Sequence, residues 1–184
     1  DLADVMAPAL PDAHFIAPNA PYVCEVNPYG FQWFSLMDRN PSRMLEGARN
    51  ASALLNSFID EQLAALSLDN RALALVGFSQ GTMTALHLAT RRTPAIAAMV
   101  GFSGALIGID ELATESTARP PICLIHGTMD DVVPFASMKI ATDTLTAAGL
   151  TPETHTRPGL GHSIDMEGIA IAQRFLSAKL NVRQ

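Results

Sequence analysis

Ser79 is the residue best placed in this chain to act as a nucleophile. It is the centre of Gly77-Phe78-Ser79-Gln80-Gly81. The apolar run Ala72 to Val76 ahead of it reads as a buried strand, and Thr82 to Arg92 behind it reads as a helix. A serine with glycine two residues away on each side, set on a strand-to-helix turn, is the nucleophile-elbow pattern. In so tight a turn, side chains at 77 and 81 are expected to collide, so both positions call for glycine. The serine itself is expected in a sparsely populated backbone conformation with its hydroxyl projecting outward. The chain holds 12 glycines, so a chance match is the competing reading, and the pentapeptide gains weight only from its partners.

A serine hydroxyl needs a base at neutral pH, and the base needs an orienting acid. In hydrolases with this elbow the chain order is Ser, then Asp or Glu, then His. The continuous apolar run Pro121-Ile122-Cys123-Leu124-Ile125 suits a strand buried on both faces. It opens into His126-Gly127-Thr128-Met129-Asp130-Asp131, where two adjacent aspartates compete for the acid role. Thr154 to Arg157 alternates like a strand, and Pro158-Gly159-Leu160-Gly161-His162 forms a glycine-bracketed loop ahead of the last helix. A histidine there can reach over the sheet end towards the elbow. Of the 5 histidines, His14 starts an early strand, His155 sits within a later one, and His87 lies on the helix after the elbow. His126 is the strongest rival. Its His-Gly pair reads as a turn feature, however, and it precedes the acid, so His162 is the expected base.

With these residues in place the chain resembles the carboxylesterase/phospholipase group of α/β-hydrolases, which includes the acyl-protein thioesterases. The resemblance rests on Phe15-Ile16-Ala17-Pro18-Asn19-Ala20-Pro21, the Gln32-Trp33-Phe34 loop, the Ser79 elbow, Gly101-Phe102-Ser103-Gly104-Ala105-Leu106, the Asp130 loop and Gly161-His162. These segments span nearly the whole chain in the family's order. The resemblance implies an α/β-hydrolase fold, a mostly parallel central sheet with helices on both faces. It also implies a serine hydrolase acting on carboxylic esters or thioesters with no cofactor and no metal. It favours Asp130 over Asp131, because Asp-x-x-Val-Pro is typical of the fold here, and leaves Asp131 to cap or solvate the next helix. The backbone N–H of Gln80 becomes the expected oxyanion donor. Gly101-Phe102-Ser103-Gly104 lacks the second glycine at the required offset, so Ser103 reads as a loop residue.

One departure from the family is large. Its members begin with one or two strands and then an apolar strand running into a His-Gly loop that supplies the second oxyanion donor. The only His-Gly pair here, His126-Gly127, belongs to the acid strand. The family's strand would lie between the Phe15 strand and the Leu73 strand, so the single domain over residues 1–184 is expected to be incomplete at its N-terminus, lacking its N-terminal strands. Asp1 to Leu10 reads as the helix that would follow the absent loop. Losing one oxyanion donor typically costs about 10²–10³ in kcat.

Composition fits one compact domain. Apolar residues make up 48% and charged residues 16% of the 184, with a formal net charge of −6. That charge argues against nucleic acid as a partner, and no apolar run is long enough to span a membrane. Cys24 and Cys123 make no disulfide framework, which favours a cytoplasmic setting. The expected partner is a small-molecule ester or thioester, and homodimer formation stays open.

The elements that must position the site alternate as an α/β layered fold. His14 to Ala17 reads as a strand, and Pro18 to Asn40 as a long loop. Pro41 to Leu66 reads as a helix with Met44, Leu45, Ala48, Ala51, Leu55, Phe58, Ile59 and Leu63 in one stripe. Ala97 to Phe102 reads as a strand, Ile109 to Thr114 as a short helix, and Pro134 to Ala148 as a helix ending at Gly149. Asp165 to Leu180 closes the chain as a helix. In the long loop, Trp33, Phe34 and Leu36 are expected to wall an acyl-binding pocket, the alternative being that they seal the loop to the core. The leading functional expectation is an esterase for short to medium acyl chains. An acyl thioesterase or lysophospholipase of the same fold, or a non-catalytic binding module with an incomplete oxyanion hole, are the alternatives.

Overall fold

The computed structural model of the chain describes residues 2–180. In chain order its elements are α1 (Leu2–Met6), a hairpin of β1 (Tyr22–Val23) and β2 (Phe31–Gln32), α2 (Pro41–Leu66), β3 (Ala74–Phe78), α3 (Gln80–Ala89), β4 (Ala98–Phe102), α4 (Leu112–Glu115), β5 (Ile122–Gly127), α5 (Ala136–Ala147), β6 (Glu153–Arg157) and α6 (Met166–Lys179). The last four strands form one sheet in the order β3-β4-β5-β6, every pair parallel. Phe78 pairs with Phe102, and Phe102 with Ile125, so the strand ends are level and their following loops open on one edge.

Both faces of this sheet are covered. On one face Met99 and Leu124 pack with Ala85, Leu86 and Ala89 of α3 and Met138, Ala141 and Leu145 of α5. On the other, Val100, Phe102, Cys123 and Ile125 pack with Ile169, Ala172, Phe175 and Leu176 of α6. Each fully buried side chain of this size contributes roughly 1.5–3 kcal/mol. The expected layered α/β fold is therefore the observed one. The long helix matches its sequence signals: Asn40 caps it by accepting from Ser42 N at 3.0 Å, Pro41 occupies its first turn, and Ser67 ends it in the left-handed region. Gly149, at φ 82°, stops α5.

Four expectations are corrected. His14 to Ala17 forms no strand, and Phe15 and Ile16 are 36% and 47% exposed. A strand needs a hydrogen-bonded neighbour, and none lies beside this segment among the described residues. Between it and β3 runs an apolar slot of about 530 Å³, bordered by Phe15, Ile16, Phe58, Leu73 and Leu75. The N-terminal helix is shorter than Asp1 to Leu10: α1 ends at Met6 and a 3₁₀ turn over Ala7–Ala9 follows. The helix expected over Ile109 to Thr114 forms later, as α4. Asp131 caps no helix among the described residues, because α5 begins only at Ala136; it is exposed, as the solvated alternative expects.

Candidate active site

β3 delivers Ser79 to the loop-bearing edge of the sheet, and α3 carries the chain away at the next residue. Ser79 sits at φ 53° and ψ −118°, a conformation costing a non-glycine residue about 1–3 kcal/mol. Its neighbours hold it there: Ser79 N donates to Phe102 O at 2.9 Å, and Ser79 O accepts from Met83 N at 3.2 Å. Thr82 Oγ1 donates to the same Phe102 carbonyl at 2.8 Å and ties α3 to β4. A Cβ at Gly77 would lie 2.5 Å from the backbone of Gly81 and Thr82, so glycine is required there. At Gly81 the expectation fails. A Cβ would meet nothing within 4 Å, because that side of α3 borders the open slot.

Asp130 comes from the loop after β5 and is 8% exposed. Its Oδ1 accepts from Val132 N at 3.0 Å and Val133 N at 2.8 Å, and its Oδ2 faces His162 Nδ1 at 2.8 Å. Burial alone would raise this carboxyl. The hydrogen bond from His162, with those from Val133 and Val132, outweighs it and holds the group below the usual carboxylate value.

His162 is placed by its loop lying across the acid loop. Met129 N donates to Leu160 O at 2.9 Å, and Gly159 N to Thr128 Oγ1 at 2.9 Å. The approach is close enough that a Cβ at Gly127 would lie 2.3 Å from Leu160 O. The His162 ring rests against Phe78, centroid to centroid 4.7 Å, and Phe78 is the residue that precedes Ser79. With Nδ1 donating to Asp130, Nε2 is left with its lone pair, the tautomer a general base requires. The ring and the Ser79 hydroxyl are not yet hydrogen-bonded, as is common before substrate binds. Asp130 and His162, 32 residues apart, are thus paired, with the His162 ring against the residue before Ser79.

His126 has a different role from the turn feature read in the sequence. It is 2% exposed, and its Nε2 lies 2.9 Å from Val133 O and 3.3 Å from Asp130 Oδ2. By donating to Val133 O it braces the acid loop from below. Only its position on the acid strand, facing the loop it precedes, could have signalled this. Ser103 stands at the end of β4 with φ 45°, but it is 1% exposed and so presents no hydroxyl to solvent. Its loop reading holds. The Gln80 N–H, first in α3, points free of any acceptor among the described residues.

The expected acyl wall divides. Phe34 is 4% exposed and packs with Leu45, Ala48 and Met83, which is the sealing alternative. Trp33 is half-buried and borders the slot near Gly81, while Leu36 is exposed. Among the described residues Cys123, Glu153 and His155 are grouped closely enough to hold a metal ion. They lie at the other end of β5 and β6. Burial pushes the Cys123 thiol up to about 12, and His155 Nε2 is engaged with Glu153 at 2.6 Å. This cluster is no part of the Ser79 site.

A profile of the phospholipase/carboxylesterase family matches residues 2–180. An acyl-protein thioesterase 1 homolog from Dictyostelium discoideum is 28% identical over 90% of this chain and 76% of that protein. The esterase YpfH of Escherichia coli K12 is 29% identical over 94% of this chain and 72% of its own length. Among solved structures, esterase PE8 superposes with a TM-score of 0.91 at 36% identity, covering 97% of this chain and 84% of that one. No helix among the described residues is long and apolar enough to cross a membrane. The chain belongs to the phospholipase/carboxylesterase family, on an α/β-hydrolase fold, and ester hydrolysis is the chemistry of its relatives.

Proposed function

We propose that the chain is a serine carboxylesterase acting on short to medium acyl esters through an acyl-enzyme on Ser79. The observation that carries this reading is the 2.8 Å pair of Asp130 and His162, stacked beside a serine held on a strained elbow. His162 Nε2 takes the Ser79 proton as Oγ attacks the carbonyl carbon. Asp130 keeps the ring in the required tautomer and stabilises the imidazolium. The carbonyl oxygen gains the negative charge and is met by the Gln80 N–H at the positive end of α3. As the tetrahedral species collapses, the bond to the leaving alcohol breaks and His162 returns the proton to it. A water then repeats the sequence, and the acid leaves with Ser79 regenerated. The second oxyanion donor is the one part of this machinery to which no residue is assigned.

Trp33 and Leu36 are the residues we assign to the acyl wall, with Phe34 anchoring their loop. Two cysteines with no disulfide, Cys24 and Cys123, suit a cytoplasmic setting. Ser79→Ala tests the reading: kcat on a p-nitrophenyl ester is expected to fall about 10⁶-fold if the three residues act as a unit. A loss under tenfold in a folded variant would contradict it. The likeness to an acyl-protein thioesterase homolog favours thioesters as a second substrate class. Parallel assays with an ester, an acyl thioester and a lysophospholipid rank the three.

A further inference from the structure

The Gln80 side chain makes two hydrogen bonds that the proposed esterase chemistry does not use. Its Oε1 accepts from Trp33 N at 2.8 Å, and its Nε2 donates to Phe34 O at 2.7 Å. These partners lie 47 and 46 residues away in sequence, on the loop that leaves the β1–β2 hairpin. The carboxamide therefore closes a two-point clamp between the first residue of α3 and the backbone of two consecutive residues. The assignment of oxygen and nitrogen is forced, since the Trp33 N–H needs an acceptor and the Phe34 carbonyl a donor. Both bonds are partly buried, where an unmatched polar group is not easily rescued by water.

The two clamped residues differ in depth, Phe34 being buried and Trp33 half-buried. Phe34 sinks into the cluster of Leu45, Ala48 and Met83. Trp33 packs against that same cluster and also against Leu55, Ile59 and Leu88. Gln80 fixes the backbone between them, at the residue whose own N–H adjoins Ser79. We infer that the Gln80 side chain is a positioning residue for acyl-chain selectivity: it locks the Trp33–Phe34 backbone to the elbow and so sets the wall that the acyl chain meets. This rests on the esterase reading, but the clamp itself can be tested without it.

Only a group offering one donor and one acceptor satisfies both peptides. In Gln80→Glu a carboxylate still accepts from Trp33 N–H but opposes the Phe34 carbonyl with a second acceptor. Once protonated, the same carboxyl again offers one of each. Trp33 is the only tryptophan in the chain, so its fluorescence reports on the clamp directly.

The experiment compares wild type, Gln80→Glu and Gln80→Met. At neutral pH both variants are expected to show red-shifted Trp33 emission and faster acrylamide quenching. As pH falls through the carboxyl range, the glutamate variant returns towards wild type and the methionine variant does not. A general packing role would not produce that difference. With p-nitrophenyl acetate and octanoate, both variants should lower the octanoate-to-acetate ratio of kcat/KM about tenfold at neutral pH, mainly through KM for octanoate. Unchanged Trp33 emission in both variants overturns the proposal, as does a ratio within twofold of wild type. Failure of a fluorophosphonate to label wild-type Ser79 would overturn the esterase reading instead, and the fluorescence comparison would still decide whether the clamp exists.

Discussion

β5 and β3 lie two places apart in one parallel sheet, yet their surroundings differ. β5 has strands on both edges and is buried at all six positions. Among the described residues β3 is paired on its β4 side alone, and it is half-buried at four of its five positions. The loop following β5 is held by His126, by Val132 and Val133, and by the backbone of the His162 loop. On the free side of β3 stands the slot, with Phe15 and Ile16 beyond it. The comparison shows that the Asp130 and His162 loops are held where the chain packs against itself on both sides, whereas Ser79 follows a strand paired on one side among the described residues. The strained Ser79 conformation persists because hydrogen bonds from β4 and α3 over-determine it, not because β3 is rigid along its whole edge.

The largest test of that contrast is a pair of glycines on either side of Ser79. Gly77→Ala drives a Cβ into the α3 backbone at 2.5 Å, and is expected to cost more than about 4 kcal/mol or to prevent folding. Gly81→Ala faces open space in the first turn of a helix and should be neutral or stabilising by up to about 1 kcal/mol. Chemical denaturation of both variants reads this, and equal losses would refute the one-sided elbow. The same logic applies to a matched pair of isoleucines. Ile125→Ala, on the fully paired strand and 2% exposed, should lose about 2–5 kcal/mol, whereas Ile16→Ala, 47% exposed, should lose under about 1 kcal/mol. If Ile16 costs as much as Ile125, the segment beyond the slot is packed more tightly than described.

A third prediction concerns the opposite side of α3. His87 is 3% exposed, with Nδ1 at 2.9 Å from Ser52 Oγ and, among the described residues, no hydrogen-bond partner for Nε2. Burial first, then the Arg91 charge, pushes it down from 6.5 to about 4. The folded state therefore holds His87 neutral while the unfolded chain takes up a proton below about 6.5. Its stability contribution is full above that pH and is lost progressively as pH falls from about 6.5 through about 4. The loss reaches on the order of 3 kcal/mol. Stability measured from pH 7.5 to 4.5 should fall in wild type and be markedly flatter in His87→Gln. An unchanged slope in the variant would assign the acid sensitivity elsewhere.

Short-range patterns were legible in the sequence because local chemistry dictates them. The cap of Asn40, the apolar stripe through Leu45, Ala48, Ala51, Leu55 and Ile59, and the stop at Gly149 each need only neighbouring residues. The elbow was legible for the same reason. The order of strands and loops brought His162 towards an aspartate after β5, and the family resemblance picked Asp130 over Asp131. What failed depended on partners outside the local window. His14 to Ala17 reads as a strand from its residue types, but pairing decides whether a strand forms. Gly81 looked constrained because the slot beside it cannot be read from residue types. His126 and the Gln80 side chain act on backbone groups, which residue types do not reveal, although the place of His126 on the acid strand hints at its role.

The most direct test of the account is covalent. Wild-type protein treated with a fluorophosphonate should gain one phosphonyl group, mapped by peptide mass spectrometry to Ser79, and His162→Ala should label far more slowly. Labelling at Ser103 instead, or a folded wild type that stays unmodified, would contradict the assignment of Ser79 as the nucleophile.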